Sequence, residues 1–230
     1  MGPSSPPPGL GLAWIPVAWI EPVRGAAAGL LKALGGARGR PVLVFTSPRT
    51  PWILLEDAAR SRLLASLLEA VGRARVAVVG GRTGESVREA LGVEPWLVPR
   101  EESIRGLVEA LREAGQGSRV IAVRAENAPP LNLDGDYTVV YAYRIHYSRE
   151  NSRLAAEALN TGIAGPGLFT SPGIAGSVAP LLDHGVRVLA IGEPTARVLR
   201  EHGFSPVVPR RPRITLLAEA ARRMCRSMQG

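Results

Sequence analysis

Four short segments hold the residues able to do chemistry, and they come as two pairs. Thr46-Ser47-Pro48-Arg49 and Thr170-Ser171-Pro172 each close a run of apolar residues, and so do Gly80-Gly81-Arg82-Thr83 and Gly192-Glu193-Pro194-Thr195. A serine hydroxyl accepts a backbone N–H one turn into a helix, and proline costs nothing at the first helical position. Ser47-Pro48 and Ser171-Pro172 therefore read as helix starts. Gly80 and Gly192 let the backbone come close to a ligand. A helix N-terminus offers unpaired N–H groups and partial positive charge, so the chemistry within reach is anion binding, of carboxylates above all. Taken singly, each segment is satisfied by a tight turn. Their repetition carries the functional reading.

Composition narrows the options. The chain has 230 residues, 46% of them apolar, enough for two small cores of aliphatic side chains. The net charge is +8, and Lys32 is the only lysine, so Schiff-base chemistry would rest on one helix-surface residue. Arginine supplies the rest of the positive charge, with a planar fork of donors suited to carboxylates. Cys225 is alone, and His146, His184 and His202 have no ligand spacing, so no metal site is expected. His146 reads as a surface histidine and Cys225 as incidental. No GxGxxG or GxxxxGK[ST] segment is present to hold a dinucleotide or nucleotide phosphates. The basic residues are not clustered and no aromatics interleave with them, which argues against nucleic acid. The apolar stretch from Gly9 to Ile20 contains Pro16 and is too short to span a bilayer. No basic residue precedes it, so it does not read as a signal peptide. The expectation is a cytoplasmic protein, with residues 1–8 a disordered tail.

The elements that must position the turns also repeat. Val42–Pro48 matches Gly167–Pro172, Val76–Thr83 matches Val188–Thr195, and Leu91–Pro99 matches His202–Pro209, in the same order. Continuous apolar runs read as strands buried on both faces, with amphipathic helices between them. Strands are expected at 41–47, 76–81, 95–99, 120–125 and 137–145, then at 167–171, 187–192 and 206–208. The run 12–20 is expected to add a strand to the second group. Helical faces appear at Leu63, Leu64, Leu67, Leu68 and Val71, at Ile104, Leu107, Val108 and Leu111, and at Leu216, Leu217, Ala220, Ala221 and Met224. The fold class is therefore α/β: two flavodoxin-like parallel-sheet lobes joined by a two-stranded linker, one of them discontinuous. The boundaries read as 22–145 for the continuous lobe and 9–21 plus 146–230 for the other. In such sheets ligands bind beyond the carboxyl ends of the strands, where all four turns lie. With the lobes facing each other, the turns would line one cleft.

In this order and duplication the motifs resemble those of the uroporphyrinogen-III synthase family. The resemblance rests on Phe45-Thr46-Ser47-Pro48-Arg49, on Ala190-Ile191-Gly192-Glu193-Pro194-Thr195-Ala196-Arg197-Val198-Leu199 with Gly203, and on Tyr143-Arg144 late in a strand. It implies cyclisation of hydroxymethylbilane, a linear tetrapyrrole with acetate and propionate arms, with inversion of the last ring and loss of water. It implies no cofactor, a monomer, and transient hand-over from hydroxymethylbilane synthase. It makes Tyr143 the expected proton donor, and Thr46, Ser47, Arg49, Gly80, Thr83, Ser171, Gly192 and Thr195 the expected substrate-binding residues. Family members carry a strand and helix ahead of the segment matching 15–20, for which this sequence has no room. The competing reading is a non-catalytic two-lobed binder of a polycarboxylate or other small anion.

Overall fold

Val42–Phe45 is apolar at every position and buried at every position, which only the middle of a sheet covered on both faces allows. In the computed structural model it is an inner strand of a five-stranded sheet. The structure describes residues 11–226 apart from 38, 115–118, 134 and 136; the tail read at 1–8 lies outside them. The elements in chain order are β1 (Ala18–Pro22), α1 (Ala26–Gly35), β2 (Val42–Phe45), α2 (Arg49–Arg60), α3 (Leu64–Arg73), β3 (Arg75–Val78), α4 (Gly81–Leu91), α5 (Ile104–Glu113), β4 (Val120–Ala125) and β5 (Tyr137–Tyr147). There follow α6 (Arg149–Asn160), β6 (Gly167–Phe169), α7 (Pro172–Val178), β7 (Val188–Ala190), α8 (Glu193–Glu201) and α9 (Ile214–Arg226).

The chain divides into two units. One spans Ile20–Ile145; the other combines the described residues up to Trp19 with the described residues from His146 onward. In the first, the sheet order is β1-β5-β4-β2-β3. β2, β3, β4 and β5 run parallel. β1 runs against β5, since Val23 N–H donates to Ala142 C=O while Val17 C=O accepts from Ser148 N–H. One face carries Leu43, Phe45, Val78, Ile121 and Val123 under α1 to α4; the other carries Val42, Val44, Ala77 and Ala122 under Leu107 of α5. Full burial of a side chain such as Leu43 or Phe45 stabilises by roughly 1.5–3 kcal/mol.

The second unit has a two-stranded sheet, β6 and β7, covered by a core that includes Phe169, Ala175, Ala196 and Leu199. The repeat seen in the sequence extends to individual backbone hydrogen bonds. Val79 N–H donates to Phe45 C=O at 3.1 Å, and Ile191 N–H to Phe169 C=O at 2.9 Å. Val78 N–H donates to Leu97 C=O at 3.0 Å, and Ala190 N–H to Val207 C=O at 3.0 Å.

Several expectations change. Segments 95–99 and 206–208 touch their sheets at single bridges, Ala77 with Leu97 and Leu189 with Val207. Prolines at 95, 99, 206 and 209 lack the N–H groups a longer ladder needs. Because Leu97 lies outside β3, the parallel elements run in the order 3-2-1-4-5, not the 2-1-3-4-5 of flavodoxin. The N-terminal strand is Ala18–Pro22, in the five-stranded sheet, and adds nothing to β6 and β7. Ile15 and Val17 instead pack against the second unit's core as irregular chain beside Pro16.

Candidate functional site

β2 and β4 are neighbours whose following chain departs to opposite sides, β2 leading to β3 and β4 to β5. The carboxyl ends of such a pair mark where an open α/β sheet receives its ligand. Thr46 and Ser47 lie at that end, half-buried, with Arg49 exposed beside them. Ser47 does not cap α2 as expected. Pro48 holds the cap position, and Ser47 Oγ accepts from Arg49 N–H at 3.3 Å. Ser171 does cap α7, accepting from Ile174 N–H at 3.3 Å with Pro172 next in the helix.

The glycine turns are copies of each other. Thr83 N–H donates to Gly80 C=O at 3.1 Å, and Thr195 N–H to Gly192 C=O at 3.1 Å. Gly80 (φ 175°) and Gly192 (φ −172°) are both extended, so neither is needed for its backbone conformation. Thr83 and Thr195 are 2% and 1% exposed, while Arg82, Glu193 and Pro194 of the same turns are exposed.

The copies differ in what lies over them. A Cβ placed on Gly80 would sit 2.6 Å from Glu102 Oε2, so the carboxylate of Glu102 covers the start of α4. The corresponding segment of the second unit, Pro209-Arg210-Arg211-Pro212-Arg213-Ile214, replaces Pro99-Arg100-Glu101-Glu102-Ser103-Ile104. Pro212 takes the place of Glu102, its Cβ 3.9 Å from a Cβ placed on Gly192, with Arg211 and Arg213 exposed on either side. The Gly192 turn thus meets Pro212 where the Gly80 turn meets a carboxylate, with Arg211 and Arg213 beside Pro212 in the chain. Glu193, which opens α8, is held below the usual carboxylate range by the hydrogen bond from Arg200 Nη1 at 2.5 Å. Beside Ser171, a Cβ on Gly173 would collide with the Tyr147 hydroxyl, so that turn too is covered by a side chain of its own unit.

Tyr143 lies on β5 next to a β-bulge. Arg124 pairs with Tyr141, but Ala125 pairs with Tyr143. The extra residue turns Tyr143 to the face of Val123 and Ala125, where it is 4% exposed among apolar side chains. The strand is pinned there by side chains that follow β4. Arg144 donates to Glu126 through Nε at 2.9 Å and Nη2 at 2.7 Å, and Asn127 exchanges two bonds with the Ile145 backbone at 2.6 and 3.1 Å. Arg144 holds the Glu126 carboxyl below its ordinary range.

Glu102 and Tyr147 were not singled out from sequence. Each covers a turn some twenty or more residues away, and no local pattern announces that. His146, read as a surface residue, stacks on Trp19 with ring centroids 5.1 Å apart. Among the described residues no group of three or more His, Cys, Asp or Glu side chains could hold a metal ion, and no helix is long and apolar enough to cross a membrane.

Fold and turns together define an α/β protein with duplicated strand-to-helix turns after its parallel strands. The family described as Uroporphyrinogen-III synthase HemD matches residues 11–219. A curated protein of Archaeoglobus fulgidus named "Putative uroporphyrinogen-III synthase" is 28% identical over 177 residues, which is 72% of this chain and 76% of that one. Among solved structures, a mutant uroporphyrinogen III synthase from the extremely thermophilic bacterium Thermus thermophilus superimposes with a TM-score of 0.68 at 20% identity, covering 93% of this chain and 88% of its own. The Helicobacter pylori enzyme gives 0.58 at 14% identity, covering 90% and 91%. At those identities the structures speak for the α/β fold. The chain belongs to the uroporphyrinogen-III synthase family. It is accordingly a lyase of tetrapyrrole and heme biosynthesis, converting hydroxymethylbilane to uroporphyrinogen III with loss of water.

Proposed function

We propose that this chain carries out ring closure mainly by holding the bilane in one shape, and that the repeated strand-to-helix turns supply the grip. The substrate is intrinsically reactive, so orientation decides which isomer forms. Loss of the hydroxyl leaves an electrophilic azafulvene. The terminal pyrrole attacks it through a spiro intermediate, which fragments and recloses with that ring inverted. Thr46, Ser47, Arg49 and Gly192, with Gly80, Thr83, Ser171 and Thr195, bind the acetate and propionate arms through N–H groups, hydroxyls and the Arg49 guanidinium. The observation that carries this reading is the duplicated glycine turn, in which Thr83 and Gly84 N–H donate to Gly80 C=O as Thr195 and Ala196 N–H donate to Gly192 C=O.

Tyr143 is the proposed donor to the leaving hydroxyl. The Glu126–Arg144 and Asn127–Ile145 pairs fix the strand that carries it. The proposal includes two lobes joined through β1 and β5, the second assembled from both ends of the chain. It also includes a cytoplasmic monomer that takes its unstable substrate by transient hand-over from hydroxymethylbilane synthase. Tyr143→Phe tests the donor. A lowered kcat with KM and thermal unfolding unchanged supports it, because that pattern marks an interaction made only in the transition state. Unchanged kcat would remove Tyr143 from the mechanism.

A further inference from the structure

Arg124 is the one arginine that the described residues bury almost completely, at 5% exposed. It lies on β4, one residue beyond the Phe45–Val123 pairing, so continuing the register places it opposite Thr46. It shares the face of Ala122 and Val44 and adjoins Tyr141 on β5. Its Nη2 donates to Pro129 C=O, and its Nε has no hydrogen-bond partner. No carboxylate among the described residues is in an ion pair with it.

A guanidinium keeps its charge in a protein, and burying one without an anion is costly. The other arginines with assigned acid partners, such as Arg144 with Glu126 and Arg200 with Glu193, are at the surface. Among the described residues, the sheet places its single buried cation without an acid partner at the carboxyl end of β4, and the continued register sets it opposite the turn that follows β2. We propose that Arg124 is a substrate-binding residue of the first unit, its free Nε–H donating to an acetate or propionate carboxylate seated at Thr46-Ser47. This deepens the synthase reading and rests on it. Burial pushes the guanidinium below its usual range, opposed by the tyrosines at 137, 141 and 143.

The contact to Pro129 also gives Arg124 a structural duty, so the test must separate the two. In the full chain, Arg124→Gln and Arg124→Lys are compared for turnover of hydroxymethylbilane, for affinity toward uroporphyrin III as an octacarboxylate probe, and for thermal unfolding. Loss of one charge-assisted hydrogen bond to a carboxylate predicts a rise of roughly 10- to 100-fold in KM and in the uroporphyrin Kd for the glutamine variant. The lysine variant should recover part of that loss, with kcat little changed. Should the variants fail to fold, the Arg124 Nε–H resonance of the wild type, followed by nitrogen-15 NMR, must shift when uroporphyrin III is added. Lower thermal stability with unchanged KM and Kd, or an unmoved Nε–H resonance, would overturn the assignment while leaving the synthase reading intact. A wild type that turns over no bilane would defeat that reading first, and this proposal with it.

Discussion

Gly192→Ala isolates the grip of the turns from the stability of the fold. At φ −172° and ψ 175° the position accepts alanine without strain. The new methyl would meet only Pro212 Cβ at 3.9 Å and Pro194 Cδ at 4.0 Å, ordinary contact distances. Replacing glycine at a compatible site stabilises by about 0.4–1 kcal/mol through the unfolded chain. Thermal unfolding should therefore hold or rise slightly. A carboxylate bonding to N–H groups of this turn must approach to about 2.7–2.9 Å, and the methyl obstructs it. Losing one charged hydrogen bond costs about 1.5–3 kcal/mol, or roughly 10- to 150-fold in KM. The assay is steady-state conversion of freshly generated hydroxymethylbilane, with isomers resolved by chromatography. KM should rise with kcat held, the pattern of lost uniform binding. An unchanged KM in a normally folded variant would show that nothing approaches this backbone and would refute the argument. Gly80→Ala serves as the internal comparison: there the methyl first meets Glu102 Oε2 at 2.6 Å, so its main effect is to displace that carboxylate, with a smaller change in KM.

Glu102→Gln removes the charge lying over α4 and should lower KM about two- to fivefold, the scale of one charge at a helix N-terminus; a raised KM would show that Glu102 aids binding. For Glu126 the folded carboxyl is more acidic than the unfolded one, because Arg144 hydrogen-bonds to it. Its contribution is therefore complete above the unfolded glutamate pKa of about 4.3 and is lost as pH falls through the lower folded value. Arg144→Gln should accordingly flatten the fall in unfolding temperature between neutral and acid pH. An acid limb identical to wild type would show that the pair contributes nothing.

Sequence patterning reached the α/β alternation because Val42–Phe45, Val76–Val78 and Val188–Ala190 are buried on both faces, which leaves an unbroken apolar signature. It reached the duplication because the same turn chemistry recurs after the matching strands. It set Ser171 correctly as a cap and misplaced Ser47, since the same Ser-Pro pair starts one helix a residue later than the other. It overextended 95–99 and 206–208, where proline spacing limits each to one bridge. Leu64 and Leu68 read as a buried helix face, yet each is 36% exposed, while Leu67 and Val71 go to the core and Leu63 packs against it. What it missed is long-range. Glu102 over Gly80, Tyr147 over Gly173 and Arg124 beside Thr46 depend on which strand ends the sheet brings together, and no spacing along the chain encodes that.

The central claim is most directly tested by the isomer composition formed from fresh hydroxymethylbilane with and without the protein. The account predicts predominantly type III uroporphyrinogen when the protein is present. An unaltered excess of the type I isomer, which closes without inversion, would contradict it.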